Sequence, residues 1–314
     1  MPSGAMQADE RAREGSGSPR PRLSVVLAMR DPWPAGRAAL DALHPQIVET
    51  GAQLVVGLGD PRARPPDADL RFRDVEWAEA PGASVFRLRA LGLERARGEI
   101  VAFTEDHAVV GPGWCKATLA AHAEHPAALA IGGVVTNLAT ASSLDWATFL
   151  IANGRYMPPA RQEPGVSLQA NVSYKLDLLR AILVPSPLGL MHHTLHEDLR
   201  RAGAEMRSDE RLVVAHDQSL GLRRHSAGHF HNARSIAAFR RVRGSAGETA
   251  VRALATPALP ALMLWRTVRA AYGRCRTATV ARALPALVWF LACHAAGELA
   301  GYVGGPGASL ERVN

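Results

Sequence analysis

The stretch ARGEIVAFTEDHAVVGPGW, residues 96–114, decides how the rest of the sequence is interpreted. Gly98 ends a helical pattern, and the apolar segment that follows it is typical of a buried strand. Glu105, Asp106 and His107 come directly after that strand, before a Gly-Pro-Gly turn and Trp114. Ionisable side chains at such a position indicate a catalytic or metal site, although a strand end that contacts only water would show the same pattern.

Segments with strand and helix patterns alternate along this part of the chain. LSVVLAM, AQLVVGLG and EIVAF predict buried strands, and AALDALHPQIVETG and SVFRLRALGLERARG predict the helices between them. This alternation is typical of an α/β fold with a doubly wound, mostly parallel sheet. Ligands of such sheets bind at the carboxyl ends of the strands, which is where Glu105 lies.

The composition limits the class of protein and of partner. The chain has 314 residues, of which 47% are hydrophobic, and a net charge of +7. It can therefore form one large α/β domain with an appendage, and an anionic partner such as a nucleotide diphosphate or a membrane surface is expected. The basic-aromatic motifs of nucleic-acid-binding modules are absent, so we expect no nucleic-acid partner. Three cysteines without paired spacing fit a reducing cytoplasm.

The sequence divides into three parts. Residues 1–20 are polar and lack an apolar core of the secretion-signal kind, so we expect a disordered tail. Residues 21–245 carry the alternating strands and helices. Residues 246–314 contain two apolar stretches around a connector, with six arginines and no acid between Val251 and Arg282.

The part from residue 246 onward predicts helices that associate with a membrane. Its longest apolar run carries His294 and Glu298, whose burial in hydrocarbon would be costly. Helices lying at the membrane surface, with arginines against anionic head groups, are therefore favoured over a spanning segment. Two soluble helices that pack on the main domain are the alternative. We expect the protein at the cytoplasmic face of the membrane.

The opening stretch resembles the A-x-G-E-x-x-x-F-x-D-x-D-x-x-x-x-P-G-W segment of family 2 glycosyltransferases, which have the GT-A fold. Four other segments resemble this family in the same order, namely LSVVLAMRD, PGASVFRLRALGLERARG, LQANVSYKLDLL and LRRAGAEMRSDERLVVAH. The resemblance covers residues 21–245. It implies transfer of a sugar, with inversion, from a nucleotide-diphosphate donor to a hydroxyl of a glycan or lipid-linked glycan. A non-catalytic nucleotide-sugar-binding or scaffold protein is the alternative.

The resemblance also implies a donor site with a divalent metal. Carboxylate oxygens suit Mg²⁺ or Mn²⁺, and imidazole is acceptable to Mn²⁺. We expect Asp106 and His107 to hold the ion, with His216 as a third ligand, and the ion to bridge the donor phosphates. His107 stands where the family has its last metal-binding Asp. The expected donor-binding residues are Met29, Asp31, Asp60, Arg89, Glu105 and Asp106, with Asp60 as a shifted substitute for a family acid.

The catalytic base is expected on the segment from Met191 to Asp198. The family offset from the R-R-A-G motif points to His192, whereas the conspicuous acid pair Glu197 and Asp198 lies six residues closer to that motif. We favour His192 as the base, with Asp198 as its rival. A histidine base would give the pH profile of turnover an acid limb at ~6.5, where an ordinary imidazole titrates. If neither acid is catalytic, ion pairs with neighbouring arginines on the helix would explain both.

Other polar and aromatic residues complete the expected site. The resemblance places Asn171 on the acceptor side, and we add Tyr156 and Trp114 as candidates for the same wall. The segment HSAGHFHNAR predicts a flexible basic loop near the donor, with His225 and His229 in solvent. The order H-x-x-x-H-E around His196 differs from the zinc-protease arrangement.

Overall fold

The computed structural model describes residues 20–72, 74–160 and 171–313. Most of the expected disordered tail therefore lies outside the described residues, as does part of the long segment that precedes Asn171. At the start of the described chain, the guanidinium of Arg20 donates hydrogen bonds to the carboxylate of Asp177 and to the carbonyls of Arg97 and Gly98.

Among the described residues, eight strands form one sheet in the order β3-β2-β1-β4-β7-β6-β8-β5. The strands are β1 (Leu23–Met29), β2 (Gln53–Leu58), β3 (Val75–Glu79), β4 (Ile100–Glu105), β5 (Ala108–Val110), β6 (Ala130–Asn137), β7 (Val172–Lys175) and β8 (Met206–His216).

The helices flank this sheet and continue beyond it toward the end of the chain. They are α1 (Arg37–Thr50), α2 (Ala68–Arg71), α3 (Val85–Arg95), α4 (Trp114–Glu124), α5 (Ser143–Asn153), α6 (Leu176–Ile182), α7 (His192–Arg201), α8 (Leu222–Arg243), α9 (Ala246–Ala255), α10 (Leu259–Ala271) and α11 (Thr277–Gly304). Short 3₁₀ turns cover Pro61–Ala63, Gly154–Tyr156, Thr256–Ala258 and Gly307–Arg312.

The mostly parallel sheet confirms the predicted fold class. β1 pairs in parallel with β2 and β4, β2 with β3, and β6 with β8. All residues of β1 are buried, which explains a sequence that is apolar except for Ser24, whose hydroxyl donates a hydrogen bond to Gln53. β7 runs antiparallel to β4 and β6, and β5 runs antiparallel to β8. These two short antiparallel strands were not predicted from the sequence.

The C-terminal helices pack closely against the sheet domain. Leu287 and Phe290 of α11 are fully buried in a cluster with Phe149 and Leu150 of α5. A Cβ atom at Gly297 would lie 2.1 Å from the carbonyl oxygen of Phe230 in α8, so the two helix backbones are nearly in contact. Hydrophobic burial and close backbone approach therefore join α11 to the domain that carries the sheet.

Helix α11 is also apolar enough to be considered as a membrane span. Within the described part of the chain, α11 alone is long and apolar enough to cross a bilayer. Its most apolar window has a mean hydropathy of 1.4. However, 44% of its apolar window is buried inside the protein. Its hydrophobicity thus has a partial explanation in the contacts with α5 and α8.

We expect Gly297→Ala to lower the free energy of unfolding by about 1–3 kcal/mol, because the added methyl group would collide with the backbone of α8. Gly247→Ala in α9 is the matched control, since a methyl group added there would lie 4.0 Å from its nearest neighbour, the hydroxyl of Ser245. That change should be neutral or stabilise by about 0.4–1 kcal/mol. Denaturant unfolding measures both variants. Equal stability of Gly297→Ala and the wild-type protein would contradict this packing.

Candidate active site

Two strand ends bring the polar residues of the opening stretch together with His216. β4 ends at Glu105, and β5 begins three residues later, after Asp106 and His107. Because β5 pairs antiparallel with β8, Ala108 lies opposite His216. The imidazole rings of His107 and His216 consequently meet edge to face, with 4.6 Å between their centroids.

A buried cluster of charges surrounds Glu105. Its carboxylate forms an ion pair with Arg89, which α3 supplies, and lies 3.0 Å from Nε2 of His107. Burial alone would raise the pKa of Glu105, but the charges of Arg89 and His107 outweigh burial and lower it. Glu105 is therefore ionised, and its largely buried ion pair with Arg89 holds α3 against the end of β4.

Asp106 and His107 continue this cluster. Oδ1 of Asp106 lies 2.9 Å from Nδ1 of His107, and Oδ2 accepts a hydrogen bond of 3.0 Å from the backbone N–H of Arg30. Burial tends to lower the pKa of His107, but hydrogen bonds to Asp106 and Glu105 raise it to about 10. The imidazole thus carries a proton on each nitrogen, and each proton points at a carboxylate.

Glu105, His107 and His216 can hold a divalent metal ion. Their ligand atoms lie within 4.8 Å of one another, and a mixed set of carboxylate and imidazole suits Mn²⁺. A metal ion would take the place of the proton shared by His107 and Glu105. Burial, and then the charge of His107, lower the pKa of His216 to about 3, so His216 offers a neutral nitrogen.

The structure therefore groups the candidate metal ligands differently from the sequence prediction. Glu105, expected as a donor-binding residue, joins His107 and His216. Asp106 contacts the imidazole of His107 and the backbone N–H of Arg30. From this position it can orient His107 as a metal ligand without binding the ion itself. Direct coordination by Asp106 stays a prediction.

The cluster opens on a cavity of about 490 Å³, a volume in the range of small-molecule sites. Its walls come mainly from α3, α5, α7, α8, the end of β8 and residues 312–313. Glu105 and Arg89 line it. The histidines on its surface are His107, His192, His193, His216, His225, His229 and His231.

His192 lines this cavity, as the sequence prediction requires of a base. Its ring is buried and packs edge to face on Phe103, with centroids 5.0 Å apart, and its Nε2 has no hydrogen-bond partner. Burial, followed by the charge of Arg89, lowers the pKa of His192 well below its usual range. The imidazole is therefore neutral, which is the state that a general base requires, and its lowered pKa makes it a weaker base than an ordinary imidazole.

Glu197 and Asp198 lie outside the cavity lining. Glu197 accepts a hydrogen bond of 3.2 Å from Arg240 of α8. Asp198 forms an ion pair with Arg243 of α8 and another, at 3.2 Å, with Arg201. Both acids thus tie α7 to its neighbours through ion pairs with arginines, as expected for acids without a catalytic role. Most of these arginines lie on α8 and not beside the acids on α7.

The three acceptor-side candidates are buried. Trp114 donates a 2.9 Å hydrogen bond to Oδ1 of Asn171, whose amide nitrogen donates to the carbonyls of Val134 and Leu212. Tyr156 packs with the buried cluster between α5 and α11. None of the three lines the cavity among the described residues, and their acceptor role stays a prediction.

The remaining donor-side candidates lie at the carboxyl ends of β1 and β2. Met29 is fully buried, and its carbonyl accepts a hydrogen bond from the N–H of Gly59. Asp60 caps the 3₁₀ turn at Pro61 and pairs with Arg62. Asp31 lies just after the end of β1. Their binding roles also stay predictions.

His225 and His229 are buried in a helix, so the expected flexible loop with solvated histidines is wrong. Both lie in α8, where His225 bonds at 2.9 Å to Asp145 and His229 lies 3.1 Å from the hydroxyl of Thr148. His229 also stacks on Phe290 of α11, with ring centroids 4.9 Å apart. The apolar partner that buries them is distant in sequence, so local polarity alone predicts solvent exposure.

Comparison with known proteins supports the fold independently of these residues. No protein-family model matches the sequence, and no curated protein matches it. Among solved structures, the mannosyltransferase PcManGT of Pyrobaculum calidifontis, in complex with GDP-Man and Mn²⁺, is similar with a TM-score of 0.55 and 16% identity, over 94% of each chain. S. aureus TarS 1-349 is similar with a TM-score of 0.50 and 12% identity, over 89% of this chain and 90% of that one. At such identities the likeness establishes a shared fold.

We expect His216→Ala to weaken Mn²⁺ binding by at least about tenfold, because loss of a ligand should cost no less than loss of an outer partner. Asp106→Asn should weaken it by about 10–100-fold if Asp106 orients His107. His125→Gln, a histidine outside the cavity lining, is the control. Calorimetry with Mn²⁺ and a nucleoside diphosphate measures all three. Unchanged affinity in His216→Ala would exclude this cluster as the metal site.

Proposed function

We propose that the protein is a metal-assisted glycosyltransferase of the GT-A, family 2 type, which moves a sugar from a nucleoside-diphosphate donor to a hydroxyl acceptor. The observation that carries this proposal is the cluster of Glu105, His107 and His216 at the carboxyl ends of strands, opening on the cavity. The shared fold with a mannosyltransferase that binds GDP-Man and Mn²⁺ supports it.

Each charged group of the cluster has a task in this reaction. Glu105, His107 and His216 would hold a divalent ion, whose charge stabilises the departing diphosphate. Arg89 keeps Glu105 ionised and places a second cation beside the same end of β4. Asp106 orients the imidazole of His107 through Nδ1.

His192 is the residue that we propose as general base. It would remove the proton of the acceptor hydroxyl as that oxygen attacks the anomeric carbon in line, which inverts the configuration. The position of His192 in the cavity lining and its neutral ring support this role, since a base needs an available lone pair near the acceptor hydroxyl.

A donor panel tests the proposed function directly. We expect Mn²⁺-dependent release of nucleoside diphosphate from one or a few nucleotide sugars when glycan or lipid-linked acceptors are supplied. His107→Ala should lose this turnover, whereas His125→Gln should retain it. Binding of a nucleotide sugar without turnover on any acceptor would instead favour the non-catalytic alternative.

We expect His192→Ala to lower kcat by about 10²–10⁴-fold with donor affinity nearly unchanged, because a base acts on the acceptor. Asp198→Asn should leave kcat close to that of the wild-type enzyme. Because its pKa is lowered, His192 stays neutral at more acidic pH. The acid limb of the pH profile of kcat should therefore lie below pH ~6.5, the pKa of an ordinary imidazole. An inactive Asp198→Asn beside an active His192→Ala would contradict the assignment.

We further propose that α9, α10 and the outer side of α11 attach the protein to anionic membrane at the cytoplasmic face. Leu254, Trp265 and Tyr272 are 82%, 57% and 81% exposed. Arg269 lies over the ring of Trp265, 5.4 Å from its centroid. Exposed aromatic residues interleaved with arginines suit the interface between head groups and acyl chains, where a lipid-linked acceptor would also be found.

We expect Arg266→Gln combined with Arg269→Gln to weaken binding to anionic liposomes by about 10–30-fold, since each arginine near such a surface contributes ~1 kcal/mol. Trp265→Ser should weaken it as well. Leu70→Ser, at a 72% exposed leucine of α2, is the matched control. Sedimentation with liposomes measures these affinities. Equal sedimentation of all variants would place any membrane contact elsewhere.

A further inference from the structure

The chain returns to the strand ends of the candidate site after α11. Gly305 turns it with φ +70°, and a 3₁₀ turn, Gly307–Arg312, leads to Val313. We call residues 305–313 the strap. The guanidinium of Arg30 donates to two strap carbonyls, that of Val313 at 2.6 Å and that of Glu311 at 2.7 Å.

Arg30 lies between the strap and the metal-binding candidates. It follows β1 directly, and its backbone N–H donates to Asp106. Its side chain crosses the end of β2, since a Cβ atom at Gly59 would lie 3.1 Å from Cγ of Arg30. The stem of the Arg30 side chain is therefore at the edge of the sheet where the donor-binding residues are expected, and its guanidinium reaches the strap.

The strap also forms part of the cavity wall. Arg312 and Val313 are among its lining residues. Val313 is buried against Val85, Phe86 and Met191. The strap is held by two side chains of α8, because His231 bonds to the hydroxyl of Ser309 at 2.9 Å and Arg234 donates to the carbonyl of Gly305 at 2.8 Å.

The hydrogen bonds from Arg30 to the two strap carbonyls are weaker than the bonds that a guanidinium forms with phosphate oxygens. Burial lowers the pKa of Arg30, and the charges of Asp31, Asp106 and Glu311 oppose that shift, so the guanidinium remains a cation. The carbonyls of Glu311 and Val313 are neutral acceptors, and the carboxylate of Glu311 adds a longer-range attraction. A phosphate offers charged oxygens to the same fork of donors, and such charge-assisted bonds are about twice as strong.

We propose that Arg30 binds the donor phosphates and that the strap competes with the donor for this guanidinium. Donor binding replaces the carbonyls of Glu311 and Val313 by phosphate oxygens and displaces the strap from the cavity wall. The identity of the ligand rests on the proposed function. The competition itself rests on the contacts of Arg30 and Val313.

Strap variants test this competition through nucleotide affinity. We expect Val313→Ser to tighten binding of UDP or GDP with Mn²⁺ by about tenfold, because the affinity of a site rises with the fraction of protein in which it is open. Gly307→Val should do the same by a different route, since Gly307 has φ +49° and a side chain there would meet Arg234. Ala308→Ser, at an exposed strap residue, is the matched control and should bind as the wild type does.

Arg30 variants separate a binding role from a purely structural one. Arg30→Ala should loosen the strap and yet weaken nucleotide binding by about tenfold, whereas Arg30→Lys should recover part of the affinity. A residue that only anchors the strap would give the opposite result, because its removal would tighten nucleotide binding. Unchanged or tighter binding in Arg30→Ala therefore overturns the assignment.

Hydrogen exchange supplies a second measurement in the wild-type protein. UDP or GDP with Mn²⁺ should increase the exchange rate of backbone amides in residues 307–313 and protect those after β1. Strap variants with wild-type affinity, together with a strap that stays protected, would overturn the competition while leaving the proposed function intact. Absence of nucleotide binding by the wild-type protein would contradict the proposed function and the strap inference together.

Discussion

The ion pair between Arg89 and Glu105 is the contact on which the candidate site depends. A carboxylate removed from water is costly unless cations and hydrogen bonds compensate it, and here Arg89 and His107 do so together. This requirement fixes α3 against the end of β4. It also fixes the imidazole of His107, and through the pairing of β5 with β8 it brings His216 into the same cluster. The site is thus assembled by charge compensation at one edge of a parallel sheet.

The part of the cavity wall that α8 forms depends mainly on packing. Helix α8 carries three of the cavity histidines, and its position is set by close contact with α11 at Gly297 and by the stacking of His229 on Phe290. Arg240 of α8 then reaches Glu197 of α7, so the helix that carries His192 is linked to the same assembly. The C-terminal helices therefore shape the cavity, whatever additional contact they make with a membrane.

The parallel half of the fold could be predicted because its information is local. β1, β2 and β4 are mostly apolar segments between helical patterns, and the polar residues at the end of β4 mark a strand end. The antiparallel strands β5 and β7 span three and four residues, too few to show a period; β5 extends the sheet beside β8, and β7 lies between β4 and β6 and pairs with both. Sequence reasoning therefore found the edge of the sheet at which the site lies, but not all of the strands that complete it.

The residues of the site were predictable to a different degree. Glu105 and His107 follow from their position in the chain, whereas the grouping of Glu105 with His216 follows only from the pairing of β5 with β8. The burial of His225 depends on Asp145, 80 residues away, and on Phe290, so its polar surroundings in sequence were misleading. Arg30 carried no local signal, because its partners Glu311 and Val313 lie more than 280 residues later.

A crystal of the protein grown with Mn²⁺ and a nucleoside diphosphate would give the sharpest test of the proposed metal site. Data collected at the manganese absorption edge locate the ion without reference to any assumed ligand. We predict one anomalous peak within ~2.0–2.3 Å of a ligand atom from Glu105, His107 and His216, with the diphosphate bound to the same ion. A peak remote from these side chains, or a diphosphate bound away from the ion, would contradict the proposal.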